Sequence, residues 1–287
     1  MLGTVGALWR HPVKSMLGQR IQVAEVTDRG LAGDRRLALL DRETGKVASA
    51  KNPRLWRTLL TCTATPEEFA TRITAPDGTV LRSTDTDVDE ALSAIVGRAV
   101  TLIGTPPPQG TLDRSRPEEV LRAGVDAEVD ADVVQFGSAS PAGTFFDFAP
   151  LHLMSTSTLA RVGALHPRGA VEVQRYRPNV VIDTDGVGFV DHGWFGGELR
   201  IGDRLALRVV ASTPRCAVPT LAHGSLPRDP HALRTLAEHH RVPALPGRAP
   251  EPCAGVYAQV LRPGPVRLGD TVRISDSAGQ PRPDLLS

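Results

Sequence analysis

The stretch "LRIGDRLALRVVASTPRC", residues 199–216, begins as a β-like run and ends in a cysteine. Its part "LALRVVAS" is almost continuously apolar, which is typical of a buried strand, so "TPRC" is predicted to be the loop that leaves this strand. Loops at strand ends often carry functional groups on a β scaffold. Cys216 in this loop could be small core filling, half of a disulfide, a nucleophile or a soft metal ligand.

Short β-like runs bounded by Gly, Pro and Asp recur along the chain. They are "TVGALW" (4–9), "IQVAEVT" (21–27), "RLALLD" (36–41), "RITAPDGTVLRS" (72–83), "AVTLIG" (99–104), "VEVQRYRPNVVIDT" (171–184), "AGVYAQVLRPG" (254–264) and "VRLGDTVRIS" (266–275). Because such runs follow one another with few helical segments between them, antiparallel sheets or barrels are favoured over βαβ units. The predicted fold class is therefore mainly β (α+β), with a few short helices.

Helical periodicity is clear in three places. "DVDEALSAIVGR" (87–98) puts Ala91, Leu92, Ile95 and Val96 on one face, behind Asp85 and Thr86 as possible caps. The other two candidates are "STLARVGAL" (157–165) and "DPHALRTLAEHHR" (229–241). The stretch "GTPPPQGTLDRSRPEE" (104–119) loses hydrophobic periodicity and is the best candidate for a boundary or a crossover. It predicts two mainly β units of about 105 and 170 residues.

Composition excludes several functional classes. With 287 residues, 41% of them apolar, the chain can bury substantial cores. Lys plus Arg (33) nearly equals Asp plus Glu (32), so no global field draws the protein to nucleic acid or to an anionic membrane. The N-terminal apolar stretch is too short for a signal peptide or an anchor, and no later stretch approaches the length of a membrane span. We expect a cytoplasmic protein.

Two N-terminal segments contain residues that suit an anion. In "HPVKSM" (11–16), Lys14 supplies a point charge and Ser15 a hydroxyl, a suitable pair for a phosphate. In "DRGLAGDRRLALL" (28–40), one of the adjacent Arg35 and Arg36 should face inward, since strand side chains alternate. The alternatives are a solvated loop and an ordinary glycine turn with surface arginines.

Two later segments are similar in character. "QRYRPNVVID" (174–183) presents Arg177, which can bind phosphate through two donors, and Asn179, whose amide offers a donor and an acceptor to a heterocycle edge or to the local backbone. In "TPRC", Arg215 would favour the thiolate form of Cys216, although a free cysteine also packs as a small hydrophobe. Cys62, Cys216 and Cys253 have no zinc-ligand spacing, and no hydrolase elbow, Walker loop or dinucleotide fingerprint is present.

Taken in order, these segments resemble the MOSC-domain family. The quoted N-terminal segments, extended to "HPVKSMLGQRIQVAEVTDRGLAGDRRLALLD" and followed by "ASAKNPRL", are similar to the β-barrel domain that precedes a MOSC domain. "YRPNVVID", "WFGGELRIGD", "TPRCAVPT" and "GVYAQVLRPGPVRLGDTV" are similar to the MOSC domain itself. The resemblance implies an N-terminal β-barrel domain over residues 1–105 and a MOSC domain over residues 106–287. It is greatest to the two-domain type that includes bacterial N-hydroxylated-base reductases and the mitochondrial amidoxime reducing component.

The resemblance implies a bound molybdenum cofactor, a pterin whose dithiolene sulfurs hold the metal. Cys216 matches the cysteine that provides a further sulfur ligand to molybdenum, and a soft thiolate suits this metal. The positions that match or adjoin cofactor contacts are Lys14, Ser15, Arg35, Arg177, Asn179, Arg215 and Thr213. Some relatives have a serine where this chain has Pro214, and Thr213 is the candidate to replace it.

The implied activity is reduction of N-oxygenated substrates such as amidoximes, oximes or hydroxylamines. No fused ferredoxin-type cluster domain follows the last predicted strand, so the electrons are expected from a separate ferredoxin, flavoprotein or cytochrome. Two alternatives keep the same fold: a sulfur carrier with a persulfide on Cys216, and a non-catalytic carrier of the molybdenum cofactor. The family is also associated with pyridoxal phosphate, but Lys14 as a Schiff-base lysine has no visible pyridinium partner.

Overall fold

The computed structural model describes residues 1–275, and the last dozen residues lie outside the described part. The strands of the described chain are β1 Gly3–Arg10, β2 Gln19–Ile21, β3 Val23–Thr27, β4 Gly30–Leu31, β5 Ala38–Asp41, β6 Thr63–Pro66, β7 Thr71–Thr74, β8 Val80–Arg82, β9 Val100–Ile103, β10 Thr111–Ser115, β11 Ala131–Gln135, β12 Leu151–Ser155, β13 Val180–Asp183, β14 Glu198–Ile201, β15 Leu205–Pro214, β16 Arg241–Pro243, β17 Pro250–Arg262, β18 Gly264–Arg267 and β19 Thr271–Ser275. The α-helices are α1 Pro53–Trp56, α2 Val88–Val96, α3 Pro117–Ala123, α4 Thr156–Leu165 and α5 His231–His239.

Seven strands close into a barrel in the order β12-β13-β1-β19-β14-β15-β17, with β17 pairing back onto β12. All neighbours are antiparallel except β12 and β13, which run parallel. The first strand of the chain is thus an integral part of a barrel whose other strands come from the second half, as the register pair Leu8↔Val180 shows. The mainly β fold predicted from the spacing of the runs is confirmed. The boundary between residues 105 and 106 stays a prediction.

The barrel interior is the largest apolar cluster. It contains Leu8, Leu153, Ile182, Leu207 and Val256, each at most 1% exposed. Gly255 is required where β17 crosses β12, because its φ is +79° and a Cβ there would lie 2.5 Å from His152 Nε2. The close approach of these two strands places His152 and Tyr257 opposite each other.

A second core lies beside the barrel and is built from the N-terminal segment. Two small sheets, β5-β9 and β6-β7-β8, enclose it together with α1 and α2. Met16, Leu59, Ile73 and Leu92 are fully buried in it. The side chains of Val13 and Met16 pack into this core, so they hold the backbone on either side of Lys14 and Ser15 in place.

The three predicted helices form, but several details differ from the prediction. Helix α2 begins after Asp87, and neither Asp85 nor Thr86 caps it; Asp85 instead accepts a bond from the backbone N–H of Arg82. The predicted boundary 104–119 contains β10 and the start of α3. The long run 171–184 forms a 3-10 turn before the short strand β13, because Pro178 cannot continue a sheet ladder. No helix within residues 1–275 is long and apolar enough to cross a membrane.

Candidate functional site

One cavity lies where residues 11–15, the loop before β12, the turn before β13 and the segment after β15 meet. Seven of the eight residues singled out in the sequence line it: Lys14, Ser15, Arg35, Arg177, Asn179, Arg215 and Cys216. Thr213 does not line it. Thr213 is a buried strand residue, and its hydroxyl has no hydrogen-bond partner within residues 1–275. The free volume of the cavity is about 70 Å³.

Backbone strain is concentrated at this cavity. Among residues 1–275 only four non-glycine residues have a positive φ, and three of them line the cavity: Ser15 (65°), Arg35 (44°) and Arg177 (56°). A residue held in this region costs on the order of 1–3 kcal/mol and persists when its surroundings over-determine it. Here Arg35 N–H donates to His11 O at 2.7 Å and Lys14 N–H donates to Leu37 O at 2.8 Å, which fixes the two segments against each other.

Lys14 and Lys51 share one carboxylate at the N-terminal side of the cavity. Lys14 is 4% exposed, and its Nζ donates to Phe145 O at 2.8 Å and to Asp147 Oδ1 at 2.6 Å. Lys51 Nζ lies 3.1 Å from the same Asp147 oxygen. Burial lowers the pKa of Lys14 to about 8, although the neighbouring Asp147 opposes the shift. Burial raises the pKa of Asp147, but Lys14 and Lys51 outweigh burial and hold it well below its usual range.

Arg35 is held by its neighbour Asp34, which is itself buried. The Asp34 carboxylate accepts bonds from the guanidinium of Arg35, from the backbone N–H of His11 at 2.6 Å and from the amide of Asn179 at 3.0 Å. Burial raises the pKa of Asp34, but Arg35 and His11 more than offset this and hold the carboxyl ionised. Arg35 faces the cavity and Arg36 is exposed, but strand alternation is not the reason, since both residues precede β5 and Arg35 lies in a turn with a positive φ.

Asn179 lines the cavity, yet its side chain is used within the protein. Its Nδ2 donates to Asp34 at 3.0 Å and to Trp9 O at 3.3 Å, and its Oδ1 accepts the backbone N–H of His152 at 3.1 Å. The amide therefore joins β1, β12 and the segment around Asp34. This is the structural alternative considered for the sequence, and it positions Arg35 and His152.

Arg177 crosses the cavity toward the N-terminal segment. Its guanidinium donates to Met16 O at 2.7 Å. Burial, together with the charge of Arg35, lowers the pKa of Arg177 to about 9, although the charges of Asp34 and Asp147 act in the opposite direction. A buried guanidinium under such repulsion is stabilised by any anion that enters the cavity.

Arg215 and His152 hold each other in position through a hydrogen bond between their side chains. Arg215 donates to His152 Nε2 at 3.3 Å, to Ala254 O at 3.1 Å and to Tyr176 O at 3.3 Å. Because a guanidinium only donates, His152 Nε2 is an acceptor, and its proton sits on Nδ1, which faces Arg177 O at 3.3 Å. Burial and the charge of Arg215 lower the pKa of His152 well below its ordinary value, so this ring is neutral.

Cys216 is the one cysteine of the described chain that lines the cavity. It lies two residues after the end of β15 and is 8% exposed. Cys62 and Cys253 are fully buried core residues, and burial raises the pKa of the Cys253 thiol to about 12. The predicted loop "TPRC" is shorter than expected, because Thr213 and Pro214 are still part of β15.

Sequence reasoning missed several lining residues, namely Lys51, Asp147, His152, Arg175, Tyr176 and Tyr257. Lys51 lies within "ASAKNPRL", a segment quoted for its resemblance, and could have been named from it. Asp147 lies between Phe146 and Phe148 in an irregular loop, and Tyr257 lies in an apolar strand run, so neither carried a signal. Burial raises the pKa of Tyr257 well above its usual range, which keeps its phenol protonated.

The donor set of the cavity is suited to an anionic ligand with a soft centre. Six cations and one carboxylate line it beside one thiol. Within residues 1–275 no group of three or more His, Cys, Asp and Glu side chains is arranged to hold a metal ion. A metal at Cys216 would therefore need most of its ligands from a cofactor, and the cations fit the phosphate of such a cofactor.

Comparison with known proteins gives two family matches. Residues 2–100 match the MOSC N-terminal beta barrel domain, and residues 141–273 match the MOSC domain. The mitochondrial amidoxime-reducing component 1 of Mus musculus is 27% identical over 301 residues, and that of Homo sapiens is 25% identical over 289, each covering 94% of this chain and 82% of the relative. The YUAD protein of Bacillus subtilis aligns over 96% of both chains with a TM-score of 0.43 and 11% identity.

Proposed function

The chain belongs to the MOSC-domain family, with the N-terminal beta barrel domain ahead of the MOSC domain, and we propose that it is a molybdenum-cofactor-dependent reductase of N-hydroxylated substrates. The observation that carries the proposal is the meeting of Cys216 with Lys14, Arg35 and Arg177 in one strained cavity. The kinship with proteins named amidoxime-reducing components supports the reaction class.

The residues of the cavity divide into two groups by the ligand atoms they suit. Lys14, Lys51, Ser15 and Arg35 would hold the phosphate of the cofactor, since ammonium, hydroxyl and guanidinium donors converge there. Cys216 would provide the protein's sulfur ligand to molybdenum. When bound, the cofactor would supply the two-electron reduction that removes the oxygen of an N–O bond.

The protein's own side chains would donate hydrogen bonds and hold the charged groups in position during that step. The balanced reaction is R–C(NH₂)=N–OH + 2e⁻ + 2H⁺ → R–C(NH₂)=NH + H₂O. Tyr257 keeps its phenolic proton and can donate a hydrogen bond to the departing oxygen. Neutral His152 is locked between Arg215 and Arg177 O, so it holds Arg215 in place rather than accepting a proton.

The electrons would come from a separate protein of the ferredoxin, flavoprotein or cytochrome type. We place the reaction in the cytoplasm, in line with the composition of the chain. The sulfur-carrier alternative predicts a persulfide on Cys216, and the cofactor-carrier alternative predicts bound cofactor without turnover.

The proposal is tested by turnover with an artificial donor. Cofactor-loaded wild type, supplied with reduced viologen and an N-hydroxylated amidine, should release the amidine, and Cys216→Ala should lose this activity while Cys62→Ala keeps it. Bound cofactor without turnover would indicate a carrier. A persulfide on Cys216 in protein without pterin would indicate the sulfur-carrier function.

A further inference from the structure

Asp147 stands out within the cavity because its charge has the wrong sign for an anion site. Among the lining residues in the described part of the chain it is the only carboxylate, and it faces Lys14, Lys51 and Arg35. One of its oxygens, Oδ1, lies 2.6 Å from Lys14 Nζ and 3.1 Å from Lys51 Nζ. A phosphate oxygen bound by the two lysines would occupy this same position.

The loop that carries Asp147 is irregular, and the Asp147 side chain is its partly exposed part at the cavity. No strand or helix forms between the end of β11 at Gln135 and the start of β12 at Leu151. The tip of the loop is joined to Arg29 by exposed bonds to Ala142 O and Gly143 O, at 3.2 and 3.0 Å, whereas the backbone beside Asp147 is anchored by the buried Phe145 and Phe146. The side chain of Asp147 is 32% exposed. A partly exposed side chain can leave its partners at a lower free-energy cost than a fully buried one.

The free volume gives an independent argument for movement. The cavity has about 70 Å³ free, whereas a cavity of roughly 150 Å³ holds a benzene ring. The cavity is open on one side, so a larger ligand can extend out of it, but a phosphate group between Lys14 and Lys51 has room only where the Asp147 carboxylate now lies. The side chain of Lys14 is 4% exposed and that of Asp147 is 32% exposed, so Asp147 is the side chain that can turn toward solvent.

We propose that Asp147 is a displaceable occupant of the phosphate clamp formed by Lys14 and Lys51, and that it selects dianions. In the cofactor-free protein its carboxylate satisfies both ammonium groups. A monoanion that replaces it gains no net charge interaction, whereas a phosphate dianion adds a second negative charge against three cations. The identity of the phosphate as that of a cofactor rests on the proposed function, but the displacement itself does not.

Calorimetric titration of the cofactor-free full chain with inorganic phosphate tests the proposal. Asp147→Asn should bind phosphate roughly ten-fold more tightly than wild type, and it should gain measurable binding of acetate, which wild type lacks. Asp113→Asn is the matched control, since Asp113 pairs with Lys46 at 2.7 Å away from the cavity. Its phosphate affinity should equal that of wild type. Equal or weaker phosphate binding by Asp147→Asn would mean that the carboxylate supports the lysines, and would overturn the proposal.

A second measurement needs no variant. Saturating phosphate should speed amide hydrogen exchange across residues 137–148 of wild type, because Asp147 is released from the lysines. Slower or unchanged exchange in this segment, despite phosphate binding, would also overturn the proposal. Absence of phosphate binding to both proteins would refute the clamp. In each case the reductase proposal is decided separately, by turnover of the loaded protein.

Discussion

Two arginine-rich clefts on this molecule can be compared. The cavity at Cys216 is buried and draws its cations from segments more than 160 residues apart, as the bond from Arg177 to Met16 O shows. The second cleft is lined by Arg204, Arg267 and Arg273 with Asp203 and Asp270, and all three arginines are exposed. It is formed by two neighbouring turns, each built around a glycine with positive φ, Gly202 and Gly269.

The two clefts differ in the backbone strain that the fold has to accommodate at each. At the second cleft the unusual backbone angles fall on glycine, which adopts them freely. At the cavity they fall on Ser15, Arg35 and Arg177, whose side chains oppose them. The cavity at Cys216 combines backbone strain with buried charges, and the second cleft has neither. This difference indicates that the cavity is maintained for a ligand and that the second cleft is solvated surface.

The largest expected effect concerns the fully buried arginine of the cavity wall. Arg175 is fully buried and donates to Glu172 at 2.6 Å, Leu221 O at 3.1 Å and Pro227 O at 2.8 Å. Arg175→Ala should lower the free energy of unfolding by about 3–5 kcal/mol, because buried acceptors lose their donor. Urea unfolding measures this. Arg168→Ala is the control: it removes an exposed partner of the same Glu172, and a loss as large as that of Arg175→Ala would contradict the account.

The next effect concerns ligand binding in the cavity. Arg177→Ala should weaken phosphate binding by about 100-fold, since removing a desolvated charge costs on the order of 2–5 kcal/mol. Arg273→Ala in the second cleft should leave the affinity unchanged. Calorimetry with inorganic phosphate separates the two. An equal loss of phosphate affinity in the two variants would show that both clefts bind phosphate and would contradict the difference between them.

A smaller effect concerns pH. With the pKa of Lys14 lowered by burial to about 8, phosphate affinity should fall as pH rises through that value, because the neutral amine no longer attracts the anion. The unfolded chain keeps the ordinary pKa of 10.5 and binds more protons, so the free energy of unfolding should rise between these two pH values. Lys14→Arg should remove both dependences, since a guanidinium stays protonated. Phosphate affinity that stays constant from pH 7 to 9.5 in wild type would contradict the shift.

The smallest effect is expected at the second cleft itself. Arg267→Ala should change the free energy of unfolding by less than about 0.5 kcal/mol, as is usual for exposed residues without special backbone geometry. It should not alter phosphate binding. Thermal unfolding with and without phosphate measures both the stability and the phosphate binding of this variant. A clear change in stability or in phosphate binding would contradict the assignment of this cleft to solvated surface.

The sequence predicted the fold class because alternating and apolar runs are local signals. It missed the pairing of β1 with β13 and β19, because long-range register is not encoded in any single run. Residues 104–119 were predicted to be a boundary or a crossover, and the strand β10 within them was missed because three prolines precede it. The charged site residues were visible as motifs. Asp147, Arg175 and Tyr257 were not, because an acid between phenylalanines or a tyrosine in a strand has no distinctive pattern until the chain is folded.

The central claim is that the cavity at Cys216 holds a molybdenum cofactor, and its most direct test is metal and pterin analysis of protein expressed in a host that makes the cofactor. Wild type should contain both molybdenum and pterin, Cys216→Ala should lose most of its molybdenum, and Cys253→Ala should retain it because Cys253 is a core residue. Wild type lacking both, or a molybdenum content unchanged by Cys216→Ala, would contradict the claim.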